Sequence, residues 1–167
     1  MSLAAHVVLM GVCGCGKTTV GRALAAQLGL PFIEGDELHP AENVARMAAG
    51  VPLSDADRAG WLQAVGAALA AEPQGAVASC SALRRRYRDQ LRAQVPGLRF
   101  VHLHGEPALL QARMDARRGH YMPPTLLPSQ LQTLEPPAAD EAALTLSITA
   151  PAARLAEQAR AWLETPA

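Results

Sequence analysis

The stretch "VVLMGVCGCGKTTVG", residues 7–21, decides the fold, and it can be read in two ways. Cys13 and Cys15 sit one residue apart in a glycine-rich loop that ends in Lys17. They mark either a thiol site (a metal clip or redox pair) or a phosphate cradle whose cysteines are bystanders. Gly11 to Thr18 matches the pattern G-x-x-x-x-G-K-[ST] at every fixed position, with an apolar strand before it and an amphipathic helix after it. Glycines at those positions let backbone N–H groups turn inward around phosphates, and a helix N-terminus adds about half a positive charge. Lys17 would reach the terminal phosphates, and the Thr18 hydroxyl would ligate Mg²⁺. The backbone makes such a cradle, so side chains at its variable positions are free to differ. A Cys-x-Cys disulfide would close a strained ring. A zinc site would need further ligands, and no second Cys pair or His cluster supplies them. The cysteines read as bystanders.

Bulk properties narrow the rest. The chain has 167 residues, three cysteines, and fifteen basic against fifteen acidic residues. That length suits one domain, residues 1–167, with a sizeable core. An odd cysteine count argues against a disulfide scaffold and for a reducing, cytoplasmic setting. The balanced charge lacks the positive field of a nucleic-acid binder. No apolar run is long enough for a membrane span, and "LAAHVVLMGV" reads as a buried strand rather than a leader.

Outward from the loop, short apolar runs alternate with helical patterns. "PFIEGD", "GAVASCSA", "LRFVHLHG" and "ALTLSITA" read as strands after the first, with helices between them. Ser54 and Asp57 form a capping-box-like start for a helix whose stripe is Trp61, Val65 and Leu69. The alternation predicts an α/β fold with a parallel sheet covered on both faces. "GHYMPPTLLPSQLQTLEPPAADE" holds five prolines and is long for a connection, which suggests a mobile flap over the site.

Three clusters beyond the loop carry candidate chemistry. Glu34, Asp36 and His39 follow the second strand, on the edge that faces the ligand crevice of open α/β sheets. A carboxylate there can hold Mg²⁺ or orient an attacking hydroxyl, or it is simply a solvated acidic turn. "SCSALRRRYRDQLR" places Arg84, Arg85, Arg86 and Arg88 at a strand-to-helix junction. Arg84 and Arg88, spaced i,i+4, would grip a carboxylate or phosphate. No Asp ends that strand, which shifts metal binding to Thr18, water and Asp36 or Glu34. Arg113 and Arg117 flank the flap and would neutralise transition-state charge on closure; the competing reading is a helix C-terminus decorated with cations.

Together, "GVCGCGKTT", "GDELHP", "NVARMAAGVPLSDADRAGWL", "SCSALRRRYRDQLR", "ARRGHYM" and "SQLQTLEPP" resemble the gluconokinases, small phosphate-loop kinases. The resemblance spans residues from about 7 to 151. It implies a five-stranded parallel sheet in the order 2-3-1-4-5, flanked by helices, with a lid at about 118–134. It implies transfer from ATP, with Mg²⁺, to D-gluconate, giving 6-phospho-D-gluconate, in a cytoplasmic homodimer without nucleic-acid or membrane partners. Gly11, Cys13, Gly14, Cys15, Gly16, Lys17, Thr18 and Thr19 would hold the nucleotide phosphates, with Thr18 on the metal. Arg113 would stack on adenine and Arg117 would reach the phosphates. Lys17, Asp36 and Arg117 would carry catalysis, with Asp36 on the acceptor hydroxyl. Asp36, His39, Arg46, Ser81, Arg84, Arg88 and His120 would shape the polyol-acid site, with Arg46 or Arg84 on the carboxylate.

The sequence departs from the family at Cys13 or Cys15, where serine is common. It departs at Glu34, where aspartate is common and a longer arm would alter metal geometry, and at Tyr121, where phenylalanine is common. The rivals are a kinase of another hydroxylated acid such as shikimate, and a nucleotide switch, which would need an N-K-x-D segment that this chain lacks. An arginine helix binding nucleic acid is a third. Lys17 and the helix N-terminus would lower the pKa of both loop thiols, predicting oxidant sensitivity that ATP relieves.

Overall fold

The computed structural model describes residues 4–117 and 122–166. Strand β1 (Ala5–Met10) is the centre of the sheet, and Val7, Val8, Leu9 and Met10 are all fully buried. An uninterrupted apolar run of this kind is what a parallel strand covered on both faces requires. The chain continues through the phosphate loop into α1 (Lys17–Leu28), then β2 (Phe32–Glu34), α2 (Ala41–Ala48), α3 (Asp55–Ala70) and β3 (Gly75–Ser79). After these come α4 (Arg85–Gln94), β4 (Arg99–His104), α5 (Pro107–Ala116), α6 (Leu127–Thr133), β5 (Ala143–Ser147) and α7 (Ala152–Leu163).

The strands form one parallel sheet in the order β2-β3-β1-β4-β5, as expected. Right-handed crossovers then fix the layers. The β1-to-β2 connection moves one way along the sheet, and the β2-to-β3, β3-to-β4 and β4-to-β5 connections move the other way. So α1 lies on one face while α3, α4 and α5 lie on the opposite one. The packing agrees: α1 lies against α7, and α3 against α4. Because the connections diverge from β1 and its neighbours, a crevice opens beyond their carboxyl ends, where the phosphate loop sits.

Two readings of local structure needed correction. Helix α4 begins at Arg85, not before: Arg84 has extended backbone (φ −109°, ψ 151°) and caps the helix, so it does not share a helical face with Arg88. The proline-rich flap is not all loop. Beyond residues 118–121, which lie outside the described part, Pro124–Leu126 forms a 3-10 turn that runs into α6. The prolines fall at the first positions of these turns, where no intrahelical N–H is required, so they start helices rather than break them. Leu126 and Leu127 are each 2% exposed, and Leu126 joins Met47 and Leu53 in a small cluster apart from the main core.

Candidate active site

The loop takes the shape that its glycines permit. Gly14 and Gly16 have φ of +84° and +96°, a left-handed region that residues with a Cβ rarely adopt. Gly16 sits at the N-cap of α1 without a side-chain cap, so the first N–H groups of the helix are left for a ligand. Lys17 Nζ donates to the carbonyls of Gly11 (3.0 Å) and Val12 (3.1 Å), folded back over the loop. A polyphosphate fits this cradle.

The acidic turn converges on the same place. Glu34 and Ser79 are register partners in β2 and β3, and Ser79 Oγ donates to Glu34 Oε1 at 2.5 Å. Across the carboxylate, Thr18 Oγ1 donates to Glu34 Oε2 at 2.6 Å. Thus Glu34, one methylene longer than aspartate, spans from the sheet edge to the helix that carries the loop. Gly35 must be glycine here, because a Cβ would lie 1.9 Å from the Ser79 carbonyl oxygen. The carboxylate and two hydroxyls make a hard oxygen set of the kind Mg²⁺ prefers.

A cavity of about 340 Å³ runs from the loop past Thr18 to Asp36 and His39, with Glu34 and Ser79 outside its walls, within the range of small-ligand sites. Of the residues singled out by sequence, Cys13, Gly14, Gly16, Lys17, Thr18, Thr19, Asp36, His39, Ser81, Arg113 and Arg117 line it. Gly11 and Cys15 do not, although both belong to the loop. Arg46, Arg84 and Arg88 are also absent from its walls. Arg46 pairs with Asp57 in an exposed position. Arg88 is fully buried: it donates to both carboxylate oxygens of Glu141 and to the carbonyls of Ala82 and Glu135. Among the described residues the buried Nε of Arg84 has no partner. His120 lies outside the described residues.

A further arginine that lines the cavity, near His39 and Trp61, is Arg58 of α3, which sequence reading passed over. It is 8% exposed, and its Nη1 donates to the Leu53 carbonyl (2.7 Å) and to the Tyr87 hydroxyl (3.2 Å). Its Nε and Nη2 have no protein acceptor among the described residues. Only its place three residues before Trp61 on a helix hinted at this. Trp61 holds the Gly35 carbonyl through Nε1 and stacks on His39, with ring centroids 4.0 Å apart.

Burial, reinforced by the charge of Arg58, pulls His39 down to about 4 despite the opposing pull of Asp36. His39 is therefore neutral at pH 7. Asn43 Nδ2, which also donates to the Asp57 carbonyl, approaches His39 Nδ1 at 3.4 Å. That contact makes Nδ1 the acceptor and leaves Nε2–H as a neutral donor.

The thiol expectation fails at Cys13. Cys13 and Cys15 are 4% and 1% exposed, and burial raises the Cys13 pKa against the opposing charges of Lys17 and Arg117. Burial likewise pushes the Cys80 thiol up to about 12. All three cysteines are free.

A phosphate cradle, an oxygen set for a metal and a crevice at the carboxyl ends of a 2-3-1-4-5 sheet define a phosphate-loop kinase of small molecules. Comparison with known proteins agrees. A family model described as shikimate kinase matches residues 13–149. A gluconokinase of Gluconobacter oxydans (strain 621H) is 49% identical over 84% of this chain and 81% of its own length. The thermosensitive gluconokinase of Escherichia coli (strain K12) is 46% identical over 80% of this chain and 73% of its own. A crystal structure of a gluconokinase from Sinorhizobium meliloti 1021 superposes with a TM-score of 0.89 at 47% identity, covering 98% of this chain and 94% of that one. The chain belongs to the gluconokinase family, within the wider shikimate-kinase-like group.

Proposed function

We propose that the protein transfers the terminal phosphoryl group of ATP to D-gluconate, giving ADP and 6-phospho-D-gluconate. The observation that carries this reading is one cavity holding both a phosphate cradle and, opposite it, an acid-binding set of Asp36, His39 and Arg58. Phosphoryl transfer asks mainly for positioning and charge stabilisation. Asp36 accepts the hydrogen bond of the acceptor hydroxyl and aligns it with the phosphoryl group. His39 donates from its neutral ring to a sugar hydroxyl, and the unused edge of Arg58 receives the carboxylate in a bidentate pair. Lys17 leaves the loop carbonyls for the phosphates. Arg113, beside Gly16 of the loop, and Arg117 add positive charge, although Arg113 already donates to the Ile148 carbonyl at 2.9 Å. Thr18, with Glu34 behind it, would hold Mg²⁺, which when bound screens the charge that develops on the phosphates. A homodimer in the cytoplasm is the accompanying proposal. Among the described residues no helix is long and apolar enough to cross a membrane.

A kinase of another hydroxylated acid is the second reading, favoured by the shikimate kinase model match. A coupled ADP-release assay over a panel of sugar acids and shikimate separates the two. Gluconate should exceed every other acceptor in kcat/KM; preference for shikimate would reject the proposal. In the same assay Asp36→Asn should lower kcat with gluconate about a hundredfold or more. Near-native kcat would remove Asp36 from its role.

A further inference from the structure

Gln130, on α6, is tied to the phosphate loop. Its Oε1 accepts the backbone N–H of Cys13 at 2.8 Å, across 117 residues of sequence, and the residue, 9% exposed, lines the cavity. A backbone N–H only donates, so this contact fixes which end of the amide is oxygen. The NH₂ end is thereby committed to another direction, and its hydrogens meet no acceptor among the described residues. The peptide between Val12 and Cys13 is held at both ends: its carbonyl accepts from Lys17 Nζ, and its N–H is taken by Gln130. When Lys17 swings to a phosphate, Gln130 is the contact that keeps this peptide from turning. Lys17 serves the terminal phosphates in loops of this kind, so the neighbouring amide lies at that end of the nucleotide. Lys17, Arg113 and Arg117 share the cavity, and an uncharged donor among them suits a phosphate oxygen.

We propose that Gln130 binds the terminal phosphate of ATP through its amide NH₂ while its carbonyl oxygen holds the phosphate loop in place. The proposal rests on the nucleotide-kinase reading, but its test uses no acceptor, so the identity of the acid does not enter. Gln130→Glu keeps an oxygen for Cys13 and replaces the donor with a negative acceptor; Gln130→Met removes both. Affinities are measured by calorimetry with Mg·ADP and with Mg-bound β,γ-imido ATP, alongside melting without nucleotide. The Glu variant should bind ADP within about threefold of the native protein and the imido analogue about ten- to a hundredfold more weakly, the scale of one hydrogen bond to a charged group. The Met variant should weaken both ligands, the analogue at least about tenfold more than ADP; it carries the test if the Glu variant does not fold. An equal loss for the two ligands in either variant would reduce Gln130 to a prop for the loop and overturn the proposal. Native affinity of the Glu variant for the analogue would overturn it too.

Discussion

Cys13 shows how one residue's chemistry is set by depth rather than by neighbours. Lys17 and Arg117 both favour its thiolate, yet burial outweighs them, because desolvating a charge costs more than partly exposed cations return. A nucleophilic thiolate needs both a lowered pKa and access, and Cys13 and Cys15 have too little of the second. Ellman's reagent should therefore label native protein slowly, without a fast phase at the loop, and at a rate that follows local opening. Cys13→Ser should retain activity within a few-fold, since the loop presents its backbone, not this side chain. Rapid labelling of Cys13 that nucleotide prevents would restore the oxidation-sensitive reading. The residues that sequence reading missed share a different trait. Arg58, Asn43 and Gln130 are ordinary polar helix residues, and only tertiary packing turns Arg58 and Gln130 toward the cavity and Asn43 onto His39. Asp36 and Lys17 were legible because a strand end and a motif fix their direction locally.

At the scale of elements, the conspicuous arginine cluster of α4 is structural where its most central member is concerned. Arg88 and Glu141 are 0% and 2% exposed, and Arg92 reaches the same carboxylate at 3.1 Å. This buried pair ties α4 to the segment before β5. Arg88 also donates to the carbonyl of Ala82, a residue held at φ 46° in the left-handed region beside Ser81. Strained backbone of this kind persists only where its surroundings over-determine it, so the ion pair steadies the corner from which Ser81 faces the cavity. Sequence pattern hid this because the partner lies 53 residues away, and an isolated RRRYR run reads as binding surface. Removing one partner of a buried pair leaves an uncompensated charge, so Glu141→Gln should lower stability by about 3 kcal/mol or more in urea unfolding. The double variant Arg88→Met/Glu141→Leu should recover only part of that loss, since the Ala82 and Glu135 carbonyls lose their donor as well. Full recovery would mean that those backbone bonds contribute little.

At the scale of the molecule, sheet order placed the site and burial sets how the whole fold responds to acid. The alternation of strands and helices predicts a parallel sheet, and the shared direction of its strands puts the phosphate loop, Glu34 and Ser79 at one edge. Buried titratable groups are harder to see in advance, because depth is a property of the finished packing. His102 on β4 is 3% exposed, and its Nδ1 has no partner among the described residues. Burial, helped by the charges of His104, Arg88 and Lys17, lowers its pKa to about 4. Its folded pKa lies below the unfolded value of about 6.5, so the unfolded chain takes up the proton first. The stability contributed is complete above pH about 6.5 and is lost as pH falls toward about 4, amounting to about 3 kcal/mol. His39, half-buried, adds to the loss in the same window. Glu141 follows in stronger acid: burial raises its carboxyl, but hydrogen bonds from Arg88, the Ala138 N–H and Arg92 outweigh that and hold it at about 2. Its contribution is present above pH about 4.5 and disappears only below that. Urea unfolding should therefore show stability falling between pH 7 and 5, before carboxylates titrate appreciably. In His102→Leu, that slope should be shallower and stability at pH 5 higher, since the substitution removes both the proton uptake and an unsatisfied ring nitrogen. A native curve that is flat from pH 7 to 5 would mean that His102 takes up its proton in the folded state as readily as in the unfolded chain.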